Sequence, residues 1–285
     1  MPPAEISSPL RAAQSAAPAR AESGGPRRET VQAGGAEIAI FHVDGESPGH
    51  MPLLIWAHGW GHTHRAFLAL AESIRRSASS LLLDFPGFGD SPPPPAVWGT
   101  ADYADAAAEW LATLPAGRRI WIGHSFGCRV GLQLAARHPD AVQGMFLIAA
   151  AGLPPQRSLA ARLRIAARRS AFRIARSLTP EGPARDRLRQ RFGSADYRQA
   201  GAMRPILVKT VPEDLSEAAR AVRCPVVLVY GENDRETPPE IGARLQHLIP
   251  GAQLHVLRGF DHWTVLTDGQ HQLAHRLGEF LERPL

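Results

Sequence analysis

Short apolar runs recur along this chain, separated by stretches in which apolar residues return every third or fourth position. The runs are PLLIWAH (Pro52–His58), SSLLLDF (Ser79–Phe85), RRIWIGH (Arg118–His124), GMFLIAA (Gly144–Ala150), PVVLVYG (Pro225–Gly231) and QLHVL (Gln253–Leu257). Runs of this length, apolar at successive positions, predict strands buried within a sheet. The stretches between them predict helices over about Arg65–Ser77, Asp102–Leu114, Phe126–Arg137, Pro239–Leu248 and Asp268–Glu282. Ahead of them, ETVQAGGAEIAIFHV (Glu29–Val43) reads as two strands turning at Gly34–Gly35, a hairpin adding antiparallel strands at one edge. The expected fold class is α/β, a mostly parallel sheet of about eight strands with helices on both faces.

One segment breaks the rhythm. Between Leu153 and Ala219 no buried-strand run occurs, and SLAARLRIAARRSAFRIARSL (Ser158–Leu178) repeats apolar residues at helical spacing among arginines. Helices inserted there, after the sixth strand, lie over the carboxyl ends of the strands, where open α/β sheets bind ligands. Residues 153–219 are therefore expected as a helical lid, with residues 29–152 and 220–285 as the core domain. The lid arginines admit three uses: a solvated outer face, attraction to an anionic membrane, or a clamp on a substrate carboxylate. Residues 1–28, rich in Ala, Pro, Ser and Arg, are expected as a disordered tail.

Composition narrows the function classes. The chain has 285 residues, 44% of them hydrophobic, enough for one large core. A formal charge of +5 invites a nucleic-acid reading, but Lys209 is the only lysine and the arginines are scattered rather than clustered with aromatics. Nucleic acid is not an expected partner. Cys128 and Cys224 are far apart and have the spacing of neither a metal site nor a disulfide framework. With no secretory apolar segment and no run long enough to span a bilayer, a cytoplasmic protein without stable membrane association is expected, its oligomeric state open.

The chemistry concentrates at WIGHSFGCRVG (Trp121–Gly131). A strand precedes Ser125 and a helix follows it. At the tip of such a sharp turn the serine takes strained backbone angles, and side chains two positions away on either side would clash, which Gly123 and Gly127 avoid. A serine needs a base and an orienting acid to act as a nucleophile. Asp234 in LVYGENDRETPPE and His262 in LHVLRGFDHWTVL each lie in a loop following a strand. Asp234 could instead cap the helix near Pro238, and Asp261 is a competing acid, although its side chain would have to double back to reach the neighbouring imidazole. His58, His124, His138 and His255 are read as structural, with His124 pointing away from the cleft.

In their order, HGWG, DFPGFGDS, GHSFG, GENDRETP and GFDHW resemble the motifs of the α/β-hydrolase family in its lidded form, from about Glu29 to the C-terminus. The resemblance implies the α/β-hydrolase fold, a nucleophile–acid–base triad of Ser125, Asp234 and His262, and an oxyanion hole made by the backbone N–H groups of Trp60 and Phe126. It implies no cofactor and no metal. Asp84 and Ser91 are assigned to holding loops, and Cys128, where small residues are usual in the family, to packing.

A zinc site at His58, His62 and His64 is a rival, but RAF follows where a metal-dependent pattern would continue with Asp and His. A noncatalytic ligand-binding protein on the same scaffold is another. The expected function is a serine hydrolase that cleaves a small, largely apolar carboxylic ester through an acyl-enzyme. Hydrolysis of a C–C bond in a diketone acid, of an enol-lactone, or of an amide at a peptide N-terminus stands as an alternative. A dehalogenase or epoxide hydrolase would carry aspartate in place of Ser125.

Overall fold

The computed structural model describes residues 26–46, 51–154, 170, 197 and 199–283. The apolar runs form strands: β1 (Arg27–Ala33), β2 (Ala36–Val43), β3 (Leu53–Ala57), β4 (Ser79–Asp84), β5 (Arg119–His124), β6 (Gly144–Ile148), β7 (Val226–Gly231) and β8 (Gln253–Leu257). They make one eight-stranded sheet in the order β1-β2-β4-β3-β5-β6-β7-β8. The hairpin β1–β2 joins the sheet antiparallel through β4, and the strands from β4 to β8 run parallel to one another. β1 starts at Arg27, within the stretch expected as a tail, whose first 25 residues lie outside the described residues.

The helices are α1 (Leu68–Ser73), α2 (Thr100–Ala112), α3 (Phe126–Arg137), α4 (Arg204–Thr210), α5 (Ser216–Ala221), α6 (Pro239–Leu248), α7 (Thr264–Thr267) and α8 (Gln270–Leu281). α3 and α6 span the predicted residues. α2 begins two residues earlier than its pattern indicates, because one distant and one local carboxylate serve the backbone N–H groups at its start. The Glu213 carboxylate accepts from Thr100 N at 3.1 Å, and Asp102 reaches back to Gly99 N at 2.6 Å.

Alternation along the central strands sorts the core into two layers. Ile55, Trp121, Met145, Leu147 and Leu228 face α2, α3, α5 and α6, whereas Leu54, Trp56, Ile120, Ile122, Phe146 and Val229 face α1, α7 and α8. β8 is the edge opposite β1, and only Leu257 in it is buried. The chain therefore makes the fold expected from its pattern, with helices covering both faces of a mostly parallel sheet.

Apart from Ser170, the helical segment expected over Ser158–Leu178 lies outside the described residues. The flanks of that insertion are described. Leu215 N donates to Gly152 O at 2.8 Å, so the chain leaving β6 meets the chain that enters α5. The Arg129 guanidinium of α3 donates to the carbonyls of Thr210, Val211 and Glu213 at 3.1, 3.2 and 3.3 Å, satisfying the carboxyl end of α4. No helix among the described residues is long and apolar enough to cross a membrane.

Candidate active site

β4 and β5 flank β3 on opposite sides, so the strand order reverses direction there. A crevice opens at the carboxyl ends of strands at such a reversal. Into it run the HGWG loop after β3 and the GHSFG turn after β5. Ser125 has φ 47° and ψ −101°, a left-handed backbone that costs energy for a residue with a Cβ. Its N–H donates to Ile148 O at 3.1 Å, anchoring the turn to β6. A Cβ at Gly127 would lie 2.0 Å from Ala57 O, and one at Gly123 would lie 2.9 Å from the backbone of Gly127 and Cys128. Both glycines are sterically required. Trp121, behind the turn, donates its indole N–H to Gly127 O at 2.9 Å.

Asp234 and His262 are brought together. Asp234 Oδ2 lies 2.8 Å from His262 Nδ1, with the Asp234 side chain fully buried and that of His262 13% exposed. The other carboxylate oxygen, Oδ1, accepts from Glu236 N and Thr237 N, both at 2.8 Å. Asp234 thus holds its own turn with one oxygen and the imidazole with the other, and because Glu236 and Thr237 precede α6, its bonds do not cap that helix. Thr237 Oγ1 lies 2.8 Å from Asp234 Oδ2, 3.0 Å from Ala149 O and 3.1 Å from His262 Nδ1. Ala149 itself has a positive φ of 49°. Asp261 faces away from this arrangement: its Oδ1 accepts from Trp263 N and Thr264 N at 3.0 and 2.7 Å and from Thr264 Oγ1, capping α7. These bonds hold the Asp261 carboxyl below its ordinary value.

The residues expected as oxyanion donors lie side by side. The rings of Trp60 and Phe126 meet edge-on with centroids 5.5 Å apart, and Trp60 meets Phe88 at 4.9 Å. Next to them is a cavity of about 150 Å³ lined by Trp60, Gly61, Gly87, Phe88, Gln199, Ala200 and Met203. The two glycines of HGWG serve different ends. A Cβ at Gly59 would press against His124 Nδ1 at 2.7 Å, while Gly61 stands in open space and is required only by its φ of 73°.

The three histidines proposed as a zinc rival point to separate partners. His58 accepts from Phe85 N at 3.0 Å through Nε2 and donates to Gly59 O at 2.7 Å through Nδ1, committing both nitrogens. Burial pushes its pKa down to about 4. His64 Nδ1 lies 3.0 Å from Asp84 Oδ1, and His62 stacks on Trp263 with centroids 4.0 Å apart. Among the described residues no group of three or more potential ligands is arranged to hold a metal. Asp84 and Ser91 do hold loops, since Asp84 accepts from His64 N at 2.6 Å and from Asp90 N at 2.9 Å, and Ser91 Oγ bridges Asp84 O and Ala39 N. Burial alone would raise the Asp84 carboxyl, but the hydrogen bonds from His64 and Asp90 outweigh it and hold the group low. Cys128 is buried against Ile148 O, and burial pushes its thiol up, away from reactivity.

The structure departs from the sequence reading at His124. Rather than standing clear of the cleft, its ring packs against the His262 ring at 4.8 Å, and its Nε2 lies 3.1 Å from the backbone oxygen of His262. Sequence reasoning also passed over Thr237 and Glu236. Thr237 carries a local signal, a hydroxyl three residues after an acid at the start of a helix. Glu236, whose carboxylate lies 3.7 Å from His262 Nε2, carries none.

Residues 54–276 match the model of the alpha/beta hydrolase family. The chain is 28% identical over 243 residues to the 2-(acetamidomethylene)succinate hydrolase of Mesorhizobium japonicum, covering 80% of this chain and 87% of that protein. It is likewise 28% identical over 253 residues to the pimeloyl-[acyl-carrier protein] methyl ester esterase of Chromobacterium violaceum, covering 83% and 97% of the two chains. Among solved structures, a membrane phospholipase A superimposes with a TM-score of 0.69 at 22% identity, over 91% of this chain and 88% of that one, a likeness of fold. These relatives carry different substrates in their names and share one scaffold, and with the family model matching most of its length this chain belongs to the alpha/beta hydrolase family.

Proposed function

We propose that this hydrolase is a serine esterase in which Ser125 is the nucleophile, His262 the general base and acid, and Asp234 the group that orients His262. The observation that carries this reading is the 2.8 Å contact of buried Asp234 with His262 Nδ1, on strand ends beside a turn that holds Ser125 in left-handed geometry. With Nδ1 held by the carboxylate, Nε2 is the nitrogen that exchanges the proton with Ser125. His262 takes the Ser125 proton as Oγ bonds to the ester carbonyl carbon, and the amides of Trp60 and Phe126 stabilise the resulting oxyanion. Collapse expels the alcohol, which receives the proton from His262. Water then repeats the sequence on the acyl-enzyme, releasing the acid and restoring Ser125.

The cavity beside the Trp60 and Phe88 rings supports a small, largely apolar acyl group, whereas most of the lid expected over residues 153–219 lies outside the described residues. A noncatalytic carrier would have no need of a strained serine backed by a carboxylate–imidazole pair. The free thiols Cys128 and Cys224 suit a reducing cytoplasm. The test is turnover of acyl esters of graded chain length beside a diketone acid and an enol-lactone. Preference for short neutral esters supports the proposal, and turnover of the diketone acid or lactone alone overturns its substrate class.

A further inference from the structure

We propose that His124 is a positioning residue for His262, donating its Nε2–H to the His262 backbone carbonyl and so tying the loop of the base to the turn of the nucleophile. This rests on the assignment of Ser125 and His262 made above. His124 is the last residue of β5 and precedes Ser125 directly, so its backbone is part of the nucleophile turn. Its side chain, with the residue 1% exposed, reaches the other loop, with Nε2 3.1 Å from His262 O. A carbonyl oxygen only accepts, so Nε2 must carry the proton and Nδ1 must be the bare nitrogen.

Nδ1 is buried and has no hydrogen-bond partner among the described residues. It faces Gly59 of the HGWG loop, where a Cβ would come within 2.7 Å. Packing alone would be met by an apolar ring, which leaves no orphaned nitrogen; what the imidazole adds at this position is the Nε2–H donor. The base loop is held from a second side as well, since His62 stacks on Trp263, the residue after His262. His124 thus stands where the nucleophile turn, the base loop and the expected oxyanion loop meet, joined to them by covalent bond, hydrogen bond and packing respectively. Fixing the His262 carbonyl fixes the direction in which its imidazole leaves the backbone, and small misplacements of a catalytic group reduce turnover steeply.

The role also needs a neutral His124. Its ring faces His262 at 4.8 Å, His62 at 6.4 Å and Trp263 at 6.0 Å, and no carboxylate contacts it among the described residues. Burial, then the neighbouring imidazoles, pushes its pKa well below the ordinary value. A proton gained by His262 during turnover therefore meets no second cation.

The test compares His124→Phe, which keeps a ring without a donor, with His124→Gln, whose amide nitrogen can reach the position of Nε2. On a chromogenic short-chain ester, His124→Phe should lower kcat by about ten- to a hundredfold with KM within about threefold, and His124→Gln should recover at least about a third of the wild-type kcat. Full kcat in His124→Phe overturns the inference, as does a Gln variant no better than the Phe variant. Should the Phe variant fail to fold, nitrogen-15 NMR of the wild-type imidazoles decides: the Nε2–H tautomer throughout about pH 5.5 to 8 supports the inference, and a proton on Nδ1 overturns it. Ser125→Ala, assayed alongside, separates the two levels, because activity retained there overturns the serine mechanism itself.

Discussion

Ser125 is held by its neighbours and not by its own hydroxyl, since its N–H bonds to Ile148 O at 3.1 Å and Gly123 and Gly127 make the turn possible. Ser125→Ala should therefore abolish ester turnover while leaving the thermal midpoint unchanged, checked by assay and by calorimetry on the same preparation. The two candidate acids separate as sharply. Asp234 bonds the imidazole and Asp261 bonds the start of α7. Asp234→Asn should lower kcat by about 10²- to 10⁴-fold because the amide cannot hold the productive tautomer. Asp261→Asn should leave kcat within about threefold of wild type and cost only helix-cap stability, about 1 kcal/mol. The reverse ranking in steady-state kinetics would show that the wrong carboxylate has been assigned.

Among elements, the join of β5 to α3 bears the tightest constraints. A methyl at Gly127 cannot coexist with Ala57 O at 2.0 Å, and the carbonyl belongs to a buried strand that has no room to retreat. Gly127→Ala should destabilise the protein by about 2–3 kcal/mol or more and reduce turnover, because β3 and α3 must part. Gly278, inside α8, has nothing within 4 Å of an added Cβ. Gly278→Ala should raise stability by about 0.5–1 kcal/mol with activity unchanged. Urea denaturation of the two variants checks both signs, and equal effects would contradict the steric account. Elements are also where the sequence was most and least legible. Strand, glycine, serine, glycine and helix follow one another within a dozen residues, so the span of α3 and the strain at Ser125 could be read from local pattern. The start of α2 at Thr100 depends on Glu213, more than a hundred residues away, and the Thr237–Ala149 and His124–His262 contacts are likewise made by packing between distant segments. Periodicity carries no information about such partners. β8 shows the same limit from the other side: its apolar run reads as buried, but its place at the sheet edge leaves Val256 exposed.

At the scale of the whole molecule, buried neutral imidazoles couple folding to pH. Burial lowers His58 and His62 from an ordinary value of 6.5 to about 4, with neighbouring imidazoles adding to the shift of His62, and His124 moves in the same direction. Below 6.5 the unfolded chain takes up protons that the folded protein refuses, so the stability His58 and His62 contribute is full above that value and is lost as pH falls toward 4. His58 and His62 each contribute a slope of about 1.4 kcal/mol per pH unit within the window. The urea midpoint should be flat from about pH 7 to 8 and fall steadily below about 6.5, with His62→Gln making the fall shallower. A midpoint constant down to pH 4.5 would contradict the burial of these imidazoles as neutral groups. The central claim, that Ser125 forms a covalent acyl-enzyme, is tested most directly by treating the protein with a fluorophosphonate and mapping the adduct by peptide mass spectrometry. The account predicts stoichiometric modification on Ser125 in wild type, much slower modification in Asp234→Asn, and none in Ser125→Ala; an adduct on another residue, or an unmodified wild-type protein that still hydrolyses esters, would contradict it.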